Sequence, residues 1–216
     1  MARILITGAT AGIGRATALM LAKRGHMVIG AGRTESALAS LEREGREIRG
    51  VRMDVTDAAS VGEAFRRVAE MTSDHGVDVL INNAGYAQVG PIECTSEAEW
   101  RRQFETNVFG LVRVTCLTSM RERGDGRIIN MSSVAGRLAV PFFGPYAATK
   151  HAVEAISDAL RREMQPYGVK VVIIEPGPVR TGLERIEREG LQKHAVAGSS
   201  YRSQVEKILQ IHAWRH

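Results

Sequence analysis

The chain has 216 residues, 44% of them hydrophobic and 25% charged, a length and composition that suit a single globular domain spanning 1–216. Its formal charge of +5 is spread among acids, as in Glu42-Arg-Glu-Gly-Arg-Glu47 and Glu184-Arg-Ile-Glu-Arg-Glu189, so solvated helix faces account for it and nucleic acid is not an expected partner. Cys94 and Cys116, the only two cysteines, have no ligand-like spacing, which argues against a zinc site or a disulfide framework.

Val- and Ile-rich runs alternate with longer amphipathic segments, the rhythm of parallel strands joined by crossover helices. The first strand reads at 2–7 and begins directly after Met1, which leaves no room for a signal region, so a cytoplasmic location is expected. It runs into Thr7-Gly8-Ala-Thr-Ala-Gly12-Ile13-Gly14 and then a helix. Small residues there let a backbone approach a diphosphate, and amides at a helix start favour anions. The G-x-x-x-G-x-G spacing departs from G-x-G-x-x-G, and a tight turn needing positive φ is the alternative. Gly8, Gly12, Ile13 and Gly14 are therefore candidate cofactor-binding residues.

The second strand, 27–32, ends Ala31-Gly32-Arg33, where nucleotide-binding folds often carry an acid for the adenosine ribose. Arg33 instead offers a planar charged fork to a 2′-phosphate, so NADP(H) is expected over NAD(H); a surface arginine is the plain alternative. After the third strand, 48–53, Asp54 and Val55 are candidates for the adenine end, though Asp54 could equally cap the next helix. The fourth strand, 77–82, is followed by Asn83-Ala84-Gly85, small enough for close cofactor approach and equally compatible with an ordinary loop.

A helix is expected over 97–123, opened by the Ser96 and Glu99 capping box and stopped at Gly124. Asn107 falls inside it, where asparagine has poor propensity. It could bend the helix and hold a water near Lys150, or simply be tolerated. The apolar stretch around it is cut by Arg113, far short of the roughly 18 residues of a membrane span. The fifth strand, 126–131, delivers Ser132 and Ser133; with no G-x-S-x-G, hydrogen-bond donation is expected rather than nucleophilic attack.

Pro145 suits the first turn of a helix that carries Tyr146 and Lys150 at i,i+4 on one face. An ammonium there favours phenolate, and proton exchange near neutrality needs the phenol lowered from ~10 by about three units, roughly 4 kcal/mol. A half-buried Tyr beside a solvated Lys is the alternative. The sixth strand, 169–175, leads into Pro176-Gly177-Pro178-Val179-Arg180-Thr181, a stiff turn whose Pro176, Gly177, Val179 and Thr181 are cofactor candidates, Thr181 toward a carboxamide or phosphate. Residues 182–200 read as a mobile substrate lid and 201–213 as a helix, with no Val/Ile-rich seventh strand. The implied fold is α/β, a doubly wound, mostly parallel Rossmann-type sheet with its binding crevice beyond the strand C-termini.

Together Thr7-Gly-x-x-x-Gly-Ile-Gly14, Asn82-Asn-Ala-Gly85, Asn107, Ser133, Tyr146-x-x-x-Lys150 and Pro176-Gly177 resemble the short-chain dehydrogenase/reductase family over residues 2–181. The resemblance implies a catalytic set of Asn107, Ser133, Tyr146 and Lys150, with the family's Ser-to-Tyr interval selecting Ser133 over Ser132. It also implies Tyr146 as acid/base, Ser133 as stabiliser of the carbonyl oxygen, and Lys150 binding the nicotinamide ribose and tuning the phenol. The expected activity is NADP(H)-dependent interconversion of a carbonyl and a secondary alcohol on a hydrophobic small molecule, the apolar Leu138–Gly144 segment lining the centre. A 3-ketoacyl-carrier reductase and a non-catalytic dinucleotide-sensing module are the alternatives. The resemblance further implies a seventh strand and a homotetramer or homodimer paired through the long helices.

Overall fold

The computed structural model describes residues 1–116, 119–179, 183–196 and 198–213, with side chains described except at 183–186 and 211–213. Six strands, β1 (Arg3–Thr7), β2 (Met27–Gly32), β3 (Ile48–Arg52), β4 (Val79–Asn82), β5 (Gly126–Met131) and β6 (Val169–Ile174), form one sheet in the order β3-β2-β1-β4-β5-β6. Every pairing is parallel, with Ile4 opposite both Val28 and Val79. Helices cover both faces, so the central strands are apolar throughout. Alternation divides them: Ile4, Ile6 and Ile81 join one core cluster, Leu5 and Leu80 the other. This is the expected doubly wound Rossmann-type sheet.

The fourth strand begins at Val79 instead of residue 77 because Asp78 serves the strand edge, accepting the Arg3 amide at 2.7 Å. The helices that position the site are α1 (Gly12–Lys23), α2 (Glu35–Glu44) and α3 (Ala58–Met71) in the first half. In the second half, α4 (Glu97–Phe104), α5 (Gly110–Cys116), α6 (Met120–Arg123), α7 (Gly144–Met164), α8 (Leu183–Gln192) and α9 (Arg202–Ala213) follow.

The single helix expected over 97–123 is thus replaced by several pieces. The capping box at Ser96 and Glu99 is present, and Gly124 ends α6 with φ of 73°. Between α4 and α5 the chain winds as a π-helix over Glu105–Phe109. Its widened turn carries Asn107, whose side chain bonds outside its own helix, and such turns are frequent at functional sites. Pro145 lies in the first turn of α7 as the sequence predicts. Among the described residues no seventh strand follows, and β6 is the sheet edge. No helix among them is long and apolar enough to cross a membrane.

Candidate active site

The strand order reverses between β1 and β4, and the crevice of such a sheet opens at that point beyond the strand ends. Thr7, at the end of β1, stitches the two sides by accepting the amides of Asn83 and Ala84 on Oγ1, both at 3.0 Å. The chain then turns through Gly8 and Gly12 with φ of 66° and 51°, conformations that favour glycine. A Cβ at Gly8 would meet Ala84 Cα at 3.0 Å, and one at Gly14 would meet Gly8 O and Asn83 Nδ2 at 2.4 Å. The Asn83 amide donates to Thr7 O at 2.9 Å and Gly8 O at 3.2 Å. Gly14 therefore packs behind the turn, and Asn83 braces it.

Beyond the strands lies a cavity of about 1580 Å³. At one end it is lined by Gly8, Gly12, Ile13, Arg33, Asp54 and Val55. The bare backbone of the glycine turn suits a dinucleotide diphosphate, and exposed Arg33 suits a phosphate beyond it. Burial pushes the Asp54 carboxyl up, but hydrogen bonds from the Thr56 amide and hydroxyl, with the charges of Arg33 and Arg52, outweigh it and leave it lowered. The helix-capping alternative for Asp54 does not hold. Asp57 caps α3, accepting from Ala59 N at 2.8 Å and Ser60 N at 3.3 Å.

The other end gathers Ser133, Tyr146 and Lys150 with Pro176, Gly177 and Val179 on the cavity wall. β5 delivers Ser133 beside the Tyr146 phenol, and its Oγ accepts from Ala135 N at 3.1 Å. Ser132 also borders the cavity, and its buried Oγ has no partner. Lys150 is 7% exposed, donates to Met131 O at 2.7 Å, and holds Nζ 5.7 Å from the Tyr146 ring centroid. Asn107, 2% exposed, accepts from Tyr86 N at 3.1 Å and donates to Tyr86 O at 3.0 Å and Thr149 Oγ1 at 3.1 Å. Thr149 in turn donates to Tyr146 O at 2.7 Å. Asn107 thus joins the loop after β4 to the first turns of α7.

The electrostatics correct one expectation. Burial pushes the Tyr146 phenol up, with Glu187 adding to the rise and the neighbouring Ser133 hydroxyl opposing it. Lys150 does not make it acidic here, because the ammonium lies over the ring face and is committed to a backbone carbonyl. Burial brings the amine itself down to about 8, against the opposing pull of Glu154.

The segment expected as a lid contains α8, which with α9 roofs this end. Leu191 and Val205 pack on Ala87, Val89 and Phe142, and Tyr146 lies partly buried against the same cluster. Phe142 holds a φ of 69°, unusual for a bulky side chain, and its ring meets Tyr201 edge-on at 5.9 Å.

The profile of the short chain dehydrogenase family matches residues 2–192. The chain belongs to that family. A probable short-chain type dehydrogenase/reductase of Helicobacter pylori is 41% identical to this chain over 183 residues, 84% of this chain and 66% of that protein. The chain therefore spans about two thirds of that relative's length. An NADPH-dependent 3-dehydrocapnine reductase of Ornithobacterium rhinotracheale is 35% identical, with 94% of this chain and 84% of that one covered. A crystal structure of an actinorhodin polyketide ketoreductase variant with NADPH superposes with a TM-score of 0.82 at 32% identity, covering 94% of this chain and 79% of that one.

Of the residues expected in the dehydrogenase site, Thr181 lies outside the described residues. Gly14 and Asn107 are absent from the cavity wall and stand behind it; Ala84 and Gly85 line it. Sequence reasoning missed Tyr86, Thr10 and Ala11 on the wall, none of which carries a pattern. It also missed Glu154, for which a signal existed: it follows Lys150 by four residues on one helix face.

Proposed function

We infer that this dehydrogenase is an NADP(H)-dependent oxidoreductase interconverting a carbonyl and a secondary alcohol on a hydrophobic small molecule, with Asn107, Ser133, Tyr146 and Lys150 as its working set. The observation that carries this reading is that Ser133, Tyr146 and Lys150 open onto the same cavity as the glycine turn and Arg33. Gly8, Gly12 and Ile13 would hold the diphosphate and Arg33 a 2′-phosphate. Asp54 and Val55 would face adenine, with Ala84 and Gly85 alongside and Pro176, Gly177 and Val179 at the nicotinamide end. When bound, the nicotinamide supplies or accepts a hydride.

In reduction Tyr146, kept protonated by burial, gives its proton to the carbonyl oxygen while Ser133 donates a hydrogen bond to that oxygen. Lys150, titrating at about 8, is suited to return a proton to the phenol near neutrality. The Asn107 side chain is engaged with Tyr86 and Thr149, so its part is to hold α7 against the loop after β4.

Leu138, Val140, Pro141, Phe143, Leu191 and Leu209 line the reacting end, which supports a hydrophobic substrate. Among the described residues of the wall, Arg102 and Arg188 are accompanied by Glu105 and Glu187, a balance that does not favour an acidic acyl carrier. The NADPH dependence in the name of one relative supports the cofactor choice. Residues 1–216 act in this reading as one unit in the cytoplasm, with 182–200 as its lid and 201–213 as its C-terminal helix, assembled as a homodimer or homotetramer; light scattering on the purified protein tests the assembly. A panel of hydrophobic ketones, followed by NADPH consumption, tests the chemistry. Turnover faster with NADPH than NADH is expected; tight NADPH binding without turnover on any ketone would favour the sensing module.

A further inference from the structure

One helical turn beyond Lys150 lies a buried carboxylate. Glu154 is 5% exposed, and neither of its carboxylate oxygens receives a hydrogen bond. Such a group is costly unless a cation stands beside it. Arg137 brings Nη2 to 3.0 Å from Oε2, without the alignment of a hydrogen bond. The same guanidinium donates to Glu175 Oε1, from Nε at 3.1 Å and Nη2 at 3.0 Å, immediately before Pro176. The turn after Ser133 presses on the carboxylate too. A Cβ at Gly136 would stand 3.0 Å from Glu154 Oε1 and 2.6 Å from the unpartnered Ser132 Oγ. The Ser133 turn, α7 and the exit of β6 therefore meet at one buried acid.

We propose that Glu154 is a positioning residue for the reaction: its buried carboxylate, one helical turn from Lys150 and screened on the outer side by Arg137, keeps the Lys150 side chain charged beside the cavity. This rests on the reading of Lys150 given above. Burial works against charge on Lys150, and Glu154 is the neighbour that works for it. Among the described residues, the other titratable groups around the pair are Tyr146 and Asp158 on α7, Arg137 on the Ser133 turn, Glu175 at the end of β6 and Glu187 on α8. Arg137 competes with Lys150 for the same carboxylate. Neutralising the two partners therefore acts in opposite directions. Glu154→Gln removes the attraction, and Lys150 loses its proton at lower pH. Arg137→Gln removes the competitor, and Lys150 keeps its proton to higher pH.

Competitive acetylation of Lys150 across pH, read by mass spectrometry on the full chain, reports the midpoint without any need for turnover. The expected result is a midpoint about one pH unit lower in Glu154→Gln and higher in Arg137→Gln. The alkaline limb of NADPH-dependent ketone reduction should move with it. Because Arg137 is more than half exposed, its variant tests the sign even if Glu154→Gln fails to fold. Midpoints that coincide with the parent, or that shift in the same direction in both variants, overturn the proposal. A parent that reduces no ketone but shows the opposed labelling shifts would sink the carbonyl chemistry and leave the Glu154 assignment standing.

Discussion

Gly14→Ala puts a methyl group where the glycine turn has no room. The added carbon would sit 2.4 Å from Gly8 O and from Asn83 Nδ2, so either the turn backbone or the asparagine must give way. Overpacking of this kind costs about 1–3 kcal/mol. Displacing Asn83 also removes its bonds to Thr7 O and Gly8 O, each worth about 0.5–1.5 kcal/mol. A combined loss of about 2–6 kcal/mol corresponds to a Tm lowered by roughly 4–24 °C for a chain of this size. The same displacement moves Gly8 and Gly12, so NADPH binding should weaken by about tenfold or more, each tenfold being ~1.4 kcal/mol. Gly62→Ala is the control. It lies inside α3 with nothing within 4 Å of the added carbon, and the gain of helix propensity should raise stability by roughly 0.5–1 kcal/mol. Thermal melts and fluorescence titration with NADPH read both variants. A Gly14→Ala protein that melts with the parent and binds NADPH equally well refutes the account of the turn.

Arg33→Ala should raise the Kd for NADPH by about 10- to 100-fold, the loss of a charge-assisted bond worth about 1.5–3 kcal/mol, and leave that for NADH nearly unchanged; equal effects on both would remove the 2′-phosphate assignment. Asn107→Ala breaks the bonds to Tyr86 N, Tyr86 O and Thr149 Oγ1 and should destabilise the protein by about 2–4 kcal/mol in urea unfolding, with kcat falling more than KM rises. Lys150 titrates at about 8 when folded against 10.5 when unfolded, so the unfolded chain binds more protons between those values. Its contribution to stability is therefore present in full above about 10.5 and lost as pH falls through about 8, a difference on the order of 3 kcal/mol between parent and Lys150→Met across that window. Urea unfolding of both proteins at successive pH values checks the sign.

The sheet was legible because its signals are local. Each strand is a short Val/Ile-rich run, and Ser96, Gly124 and Pro145 mark helix ends by their own backbone chemistry. What the sequence hid depends on partners distant along the chain. The π turn at Glu105–Phe109 follows from where Asn107 finds Tyr86 and Thr149, a choice that helix propensity cannot express. The cap of α3 fell to Asp57 and not Asp54 because Thr56 already occupies the Asp54 carboxylate. Within the site, i,i+4 spacing brought Lys150 to the Tyr146 ring, yet whether burial or the ammonium governs the phenol depends on where Nζ points, and it points at Met131. Glu154 went unnoticed for a related reason: a carboxylate on an amphipathic helix reads as a solvated one until the Ser133 turn is seen to cover it.

The central claim is that the Tyr146 hydroxyl transfers the proton, and Tyr146→Phe removes that hydroxyl alone. On a ketone the parent reduces with NADPH, the variant should lose about 10²- to 10⁴-fold in kcat while its NADPH affinity and melting temperature stay close to those of the parent. A Tyr146→Phe protein that reduces the same ketone at the parent's rate contradicts the account.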